Sequence, residues 1–226
     1  MNIENIGVIE TDFETKFGIP RQSGLVSSLE GRIVFDSEYR DRNFIRGLEG
    51  YSHIWVIWGF SENEGRKPTP TVRPPKLGGN ERMGVFATRS PFRPNNLGLS
   101  CLKLKKIELS ERGPILHVMG ADMVNGTPIY DIKPYLTFTD SVPDALCGFT
   151  EELNISPLKV EWSYEAKSAF PMEKSDTLTG ILAEDPRPSY IEDGDRIYGF
   201  IYAGYEIKFS VKDRILTVLS AEKRIK

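Results

Sequence analysis

Arg82-Met83-Gly84-Val85-Phe86-Ala87-Thr88-Arg89-Ser90-Pro91-Phe92-Arg93-Pro94-Asn95-Asn96-Leu97-Gly98-Leu99-Ser100 reads in two halves. Met83 to Thr88 is a short apolar run centred on Val85 and Phe86, bounded by glycine and arginine, which is the pattern of a buried strand. Arg89 to Gly98 carries two prolines, two asparagines and a glycine, a composition that forbids a helix and breaks a sheet ladder. The second half is therefore a stiff, shaped loop. Its two arginines, Arg89 and Arg93, flank one aromatic residue, Phe92. A loop this stiff has little conformational entropy left to lose on binding. A solvated connector and a ligand-binding loop are both open readings at this point.

Outward from this loop the chain is rich in short strands. Ile3–Ile9, Glu30–Asp36, Ser52–Phe60, Leu99–Leu109, Ile115–Gly120 and Ile129–Tyr135 read as strands, and Leu99–Leu109 carries one irregularity of the kind a bulge makes. Ser37 to Arg46 reads as a short helix. Asn125-Gly126 is the strongest short hairpin signal in the chain. About seven short strands and one short helix within residues 1–140 point to a closed or nearly closed barrel. Residues 141–226 change character, with strands at Lys159–Trp162, Arg196–Ala203, Tyr205–Val211 and Ile215–Ala221. An amphipathic helix spans Glu173–Glu184. The fold class is mainly β: a small β-barrel, 1–140, followed by a small α+β domain, 141–226.

Length and composition narrow the function. The 226 residues include 39% hydrophobic and 27% charged residues, with 12 Phe, 9 Tyr and 3 Trp, enough for a sizeable core. No run approaches the ~18 apolar residues of a membrane span, and the N-terminus lacks a signal-peptide pattern, so a cytoplasmic protein is expected. Cys101 and Cys147 lack metal spacing; free thiols are expected and a disulfide is left open. His53 and His117 lie far apart in apolar runs, as half-buried strand residues do, and no metal site is expected.

A net charge of −3 argues against indiscriminate nucleic-acid coating. Locally the balance reverses. Between Arg66 and Arg93 stand seven basic residues (Arg66, Lys67, Arg73, Lys76, Arg82, Arg89, Arg93) against Glu81 alone. That segment suits a solvated loop or a polyanion contact. The common enzyme templates are absent: no strand-led G-x-G-x-x-G, no G-x-x-x-x-G-K-[ST] and no G-x-S-x-G. From the residues alone, the chain reads as a barrel with rigid basic loops and a small appended module, a pattern that points to a binding protein for an anionic partner.

Ala87 to Ser100, A-T-R-S-P-F-R-P-N-N-L-G-L-S, resembles the signature of the TsaA/TrmO-like family, which normally reads R-S-x-x-R-P-N-P-I-G-L-S. Further matching stretches are P-R-Q-S-G-L (Pro20–Leu25), R-G-L-E-G-Y-S-H-I-W (Arg46–Trp55) and T-V-R-P-P-K-L-G-G-N (Thr71–Asn80). D-M-V-N-G-T-P-I-Y-D-I-K-P-Y (Asp122–Tyr135) and D-P-R-P-S-Y (Asp185–Tyr190) complete the set, which spans nearly the whole chain. Asn96 departs from the family, which has proline there, and is expected to loosen the loop slightly.

The resemblance implies a barrel that binds S-adenosylmethionine without a Rossmann-like fold. It also implies methylation of N6 of the threonylcarbamoyl-adenosine beside the anticodon of threonine tRNA, by a homodimer with the cofactor near its subunit interface. Cofactor contacts are implied at Ser23, Gly24, Leu25, Ser61, Glu62, Arg89, Leu99, Asp122, Met123, Val124 and Asn125. Arg66, Lys67, Arg73, Lys76 and Arg93 suit the tRNA backbone. No catalytic base is identified; Asp131 and Asp185 are weak candidates, each with an equally good structural reading. The alternative is a non-catalytic binding module for a nucleotide-like ligand or regulatory partner.

Overall fold

The computed structural model describes residues 2–63, 65–74, 77, 81–151, 156–187 and 196–224. Six antiparallel strands close a barrel: β1 (Gly7–Thr11), β2 (Glu30–Phe35), β3 (His53–Gly59), β6 (Leu97–Ser110), β7 (Gly113–Met119) and β8 (Thr127–Pro134). Their order around the barrel is β1-β2-β7-β6-β3-β8. Two short strands, β4 (Thr71–Val72) and β5 (Met83–Gly84), pair as a separate ribbon. Alternate residues of each barrel strand point inward, as a period of two requires. Ile9, Ile33, Ile54, Val56, Leu102, Leu116, Val118 and Ile129 fill the interior with no exposed surface, so the barrel is a packed core rather than a channel.

The second unit is a four-stranded sheet ordered β10-β11-β12-β9. β9 (Lys159–Trp162) runs parallel to β12 (Ile215–Lys223), while β10 (Tyr198–Tyr202) and β11 (Tyr205–Lys212) complete the antiparallel remainder. After the four-residue α1 (Thr137–Asp140), helices α2 (Tyr164–Ala169) and α3 (Met172–Ala183) lie between β9 and β10 in the chain. Leu178, Ile181 and Leu182 of α3 are buried in the core of this sheet.

The connection between β1 and β2 belongs to both units. Phe13, Val26 and Leu29 leave the barrel and sit in the second core with Tyr202, Phe209 and Leu178. The Asp12 carbonyl accepts from Ala203 N–H at 3.0 Å, and Lys174 of α3 pairs with the Asp12 carboxylate at 2.5 Å.

Several expectations are corrected. The first strand begins at Gly7, not Ile3, and Ser37–Arg46 forms two 3-10 turns, Ser37–Tyr39 and Arg42–Ile45, not a helix. The Met83–Thr88 strand shrinks to Met83–Gly84, followed by a 3-10 turn at Val85–Ala87 that leaves Phe86 77% exposed. Asn125-Gly126 does not join paired strands: β7 pairs with β2 and β6, whereas β8 pairs with β1 and β3. The turn instead carries the chain across the end of the barrel, because both edges of β7 are already taken. The irregularity in β6 is present as a register shift between Leu104 and Lys106.

Phe13 is 1% exposed and packs on Tyr202 with ring centroids 5.2 Å apart. Phe13→Ala is expected to cost about 3–5 kcal/mol, the usual cost of emptying a buried aromatic site. A urea melt followed by intrinsic fluorescence checks this; a loss below about 1 kcal/mol would mean that the excursion merely rests on the second unit.

Candidate active site at the parting of two strands

β6 and β7 stay paired from Ser110 to Lys103, where Lys103 faces Met119. From Leu102 to Leu97, β6 pairs with β3 alone. Three residues beyond Lys103 and Met119 lie Ser100 and Asp122, and their side chains meet where the ladder stops. Ser100 Oγ donates to Asp122 Oδ1 at 2.7 Å and accepts from Trp58 Nε1 at 2.9 Å. Ser100 and Trp58 are 1% and 7% exposed. The indole lies over Gly98, its cross-strand partner: a Cβ there would stand 2.3 Å from the ring, so only glycine fits.

The loop bearing Asp122 is held by β1 and its excursion. Thr11 Oγ1 donates to the Met123 carbonyl at 3.0 Å, and Asn125 Oδ1 accepts from Thr11 N–H at 3.1 Å. Ala121 and Met123 are buried on either side of Asp122. Gly24 N–H donates to the Gly120 carbonyl at 3.0 Å, which lays the Ser23–Leu25 turn against this loop. Gly120 has φ +80°, and a Cβ on it would lie 3.1 Å from the Gly24 backbone. The close approach of the two turns thus requires glycine. Gln22, next to Ser23, accepts a short hydrogen bond from the Arg89 guanidinium through its Oε1.

The electrostatics follow from this enclosure. Burial pushes the Asp122 carboxyl up to about 6 from its ordinary 3.8; hydrogen bonds from Ser100, its own backbone and Ser23, then the charge of Arg89, pull it partly back. At neutral pH it is a carboxylate held in partial desolvation, facing a cation at the rim. A carboxylate, a guanidinium and turn amides within one small site can grip a ligand that carries charges of both signs.

The other expected residues distribute unevenly. Ser61 and Glu62 stand on a 3-10 turn directly after β3, where Glu62 pairs with Lys16 of the excursion at 3.3 Å. Leu99 points outward, 57% exposed, because its neighbour Ser100 points in. Asp131 lies in the same row as Leu99, separated by Ile57, and pairs with Lys133 at 3.6 Å. Asp185, at φ +50°, is bound by Arg187 through both oxygens at 2.8 and 2.9 Å. It lines a cleft of about 270 Å³ with Lys16–Arg21 and Ile181. Neither weak base candidate joins the Asp122 cluster by any described contact.

Among the basic residues, Arg66, Lys67 and Arg73 are exposed, whereas half-buried Arg93 donates to the Thr88 carbonyl at 3.1 Å and braces its own loop. Lys76 lies outside the described residues. Asn96 does not loosen the loop: its Nδ2 donates to the Asn63 carbonyl at 3.0 Å, a bond proline could not make. Both cysteines are free, and no group of metal ligands occurs among the described residues. Ser100, Trp58 and Gln22 were missed by sequence reading; alternation along β6, which turns Ser100 inward whenever Leu99 faces out, was the available signal for the first.

A closed six-stranded antiparallel barrel with a polar cluster where two strands part is a mainly β architecture, not a phosphate-cradling α/β fold. Comparison with known proteins makes the class specific. The family model for the tRNA-methyltransferase O N-terminal domain matches residues 8–141, and that for the TrmO C-terminal domain matches residues 155–224. The chain belongs to the TrmO family. It is 38% identical over 229 residues to the tRNA (adenine(37)-N6)-methyltransferase of Escherichia coli, covering 98% of this chain and 97% of that one. It is 47% identical over 163 residues to the protein of the same name from Eikenella corrodens, covering 72% of this chain and 92% of that one. The crystal structure of TrmO from Pseudomonas aeruginosa superposes with a TM-score of 0.79 at 28% identity, covering 98% of this chain and 97% of that one.

The raised carboxyl carries a signed consequence. Its folded pKa, about 6, exceeds the ordinary 3.8, so protonation favours the fold. That contribution is fully present below about pH 3.8 and is lost as pH rises through 6, by up to about 3 kcal/mol. Asp122→Asn, compared with the parent protein in urea melts at pH 5 and pH 8, should gain relative stability at the higher pH. An equal difference at both pH values would refute the shift.

Proposed function

We propose that this protein transfers the methyl group of S-adenosylmethionine to N6 of an adenosine in tRNA. The observation that carries the reading is the meeting of Ser23–Gly24, Arg89 and Asp122, drawn from three distant stretches, at the parted strands of a TrmO-family barrel. These residues suit the cofactor. Its carboxylate matches the Arg89 guanidinium, its cationic groups match the ionised Asp122, and the amides of the Ser23–Leu25 turn suit its adenosine. The bound cofactor supplies an electrophilic methyl group on a positively charged sulfur.

The chain's own part is orientation. Ser100 and Trp58 fix the Asp122 carboxylate, and the stiff signature loop fixes where Arg89 starts. Little basic catalysis is demanded: when the N6–C bond forms and the C–S pair returns to sulfur, one N6 proton must leave. A carbamoyl group on that nitrogen already makes the N–H more acidic. Asp131 and Asp185 are occupied in ion pairs, which favours proton loss to water.

In finer terms, the substrate is the threonylcarbamoyl-adenosine beside the anticodon of threonine tRNA. The enzyme acts in the cytoplasm as a homodimer with its cofactor near the subunit interface. Residues 1–140 form the cofactor-binding domain and 141–226 the appended α+β domain. The exposed Arg66, Lys67 and Arg73 suit the tRNA backbone, with Lys76 on the same basic segment. These points rest on the family resemblance.

The purified protein, given labelled S-adenosylmethionine and tRNA from cells lacking this activity, should place label in threonine tRNA. Binding of the cofactor without any transfer would reduce the protein to a binding module. Arg89→Ala should lower cofactor affinity or turnover at least about tenfold, the loss of ~1.4 kcal/mol for one charged hydrogen bond. Its thermal midpoint should barely move, because an exposed arginine contributes little to folding. Normal methylation with a large drop in midpoint would make Arg89 a brace for the barrel.

A further inference from the structure

Phe86 is the anomaly of the signature region. It is 77% exposed although it sits on a well-formed turn between β5 and the rigid loop. The turn is braced: Thr88 N–H and Thr88 Oγ1 both bond the Val85 carbonyl, at 3.2 and 2.9 Å, and Val85 N–H donates to the Pro70 carbonyl at 3.0 Å. The fold therefore fixes the backbone that carries a large aromatic ring and leaves that ring in water. Beside it lies an open groove of about 430 Å³ walled by Pro68, Pro70, Val85, Phe86 and Pro94.

The chain on either side of the groove-lining residues is cationic. Arg66, Lys67, Arg73 and Arg82 are all exposed, and Glu81 is the only acidic residue in the sequence between Arg66 and Arg93. The Arg66 guanidinium already lies over a second exposed ring, Phe92, at 5.9 Å from its centroid. An apolar slot with an exposed ring, carried on a positively charged stretch of chain, matches one ligand chemistry: a flat aromatic base attached to a phosphate backbone.

We infer that this groove takes an unstacked nucleobase of the RNA, with Phe86 as its stacking platform, next to the adenosine that reaches Asp122. The inference rests on the tRNA reading above and adds a subsite to it. Phe86 and Arg89 are three residues apart on one rigid segment, within about 10 Å along the chain. A single strand can thus place one base on Phe86 and a neighbouring base at the cofactor site. An adenosine drawn out of a loop for methylation leaves its neighbours unstacked, and a fixed aromatic ring offsets part of that cost.

The test uses the full chain and an anticodon stem-loop RNA, with affinity followed by fluorescence anisotropy. Base–aromatic stacking is worth on the order of tenfold or more in affinity. Phe86→Ala should therefore weaken RNA binding about tenfold, while Phe86→Trp should retain it and calorimetric affinity for S-adenosylmethionine should stay unchanged. Removing the base on one side of the target adenosine should cost as much, and Phe86→Ala should then add little. Equal RNA affinity in Phe86→Ala and the parent would overturn the subsite while leaving the tRNA reading standing. A parent protein that fails to bind the RNA would refute both. Loss of RNA binding accompanied by a halved mass in light scattering would overturn the subsite too, since the groove would then be a contact between two copies of the chain.

Discussion

A carboxyl group taken partly out of water has to be compensated by hydrogen bonds, and Asp122 is compensated through a line of contacts that runs into the barrel core. Ser100 satisfies the carboxylate, Trp58 satisfies Ser100, and Gly98 makes room for Trp58. Every member of that line lies on β3, β6 or the loop after β7, so the barrel's closure and the polarity of the site are one arrangement. The ladder between β6 and β7 could not extend to Ser100 and still leave the Asp122 side chain free to face Arg89 and Ser23. The parting of the strands exchanges further backbone ladder bonds for an open polar edge.

The excursion between β1 and β2 supplies the other wall. Its hydrophobic residues, Phe13, Val26 and Leu29, anchor in the second core, and between these anchors the chain presents Gln22 to Leu25 to the Asp122 loop. The second unit thereby supports the site without contributing a residue to the Asp122 cluster. Loops alone carry too few apolar contacts to hold such a segment still. Burial of Phe13 and Leu29 at either end holds it where propensity could not.

The fold was legible wherever alternation was strong. Lys159–Trp162 shows it, with lysine and glutamate alternating with valine and tryptophan, while His53–Gly59 was legible as an apolar run dominated by β-branched and aromatic residues. It failed where a local signal depended on what its neighbours were doing. Asn125-Gly126 has hairpin chemistry, but a hairpin needs a free strand edge, and β7 has none. Val85 and Phe86 read as a strand pair, yet only Val85 is buried, because the ribbon ends at Gly84. At the site, the glycine turn, Arg89 and Asp122 were visible only through resemblance. Ser100 and Trp58 act through a contact between strands that no linear spacing encodes. Asn96 was misjudged for the same reason: its value lies in the Asn63 carbonyl, distant in sequence.

The signature loop is braced at three points: Asn96 to the turn after β3, Arg93 to Thr88, and Phe92 beneath Arg66. Phe86 and Arg89 ride on this one stiff piece, the first exposed at the proline groove and the second turned toward Gln22. A stiff carrier has consequences for how two ligands communicate. A protein couples two binding events through states that differ in affinity or through entropy that one ligand has already removed. A loop that is ordered before either ligand arrives offers neither route. On the proposed reading, cooperation between cofactor and RNA would therefore come from direct contact between the two ligands at the Asp122 edge. Binding of each alone should then be almost as favourable as the charge and stacking of its own subsite allow.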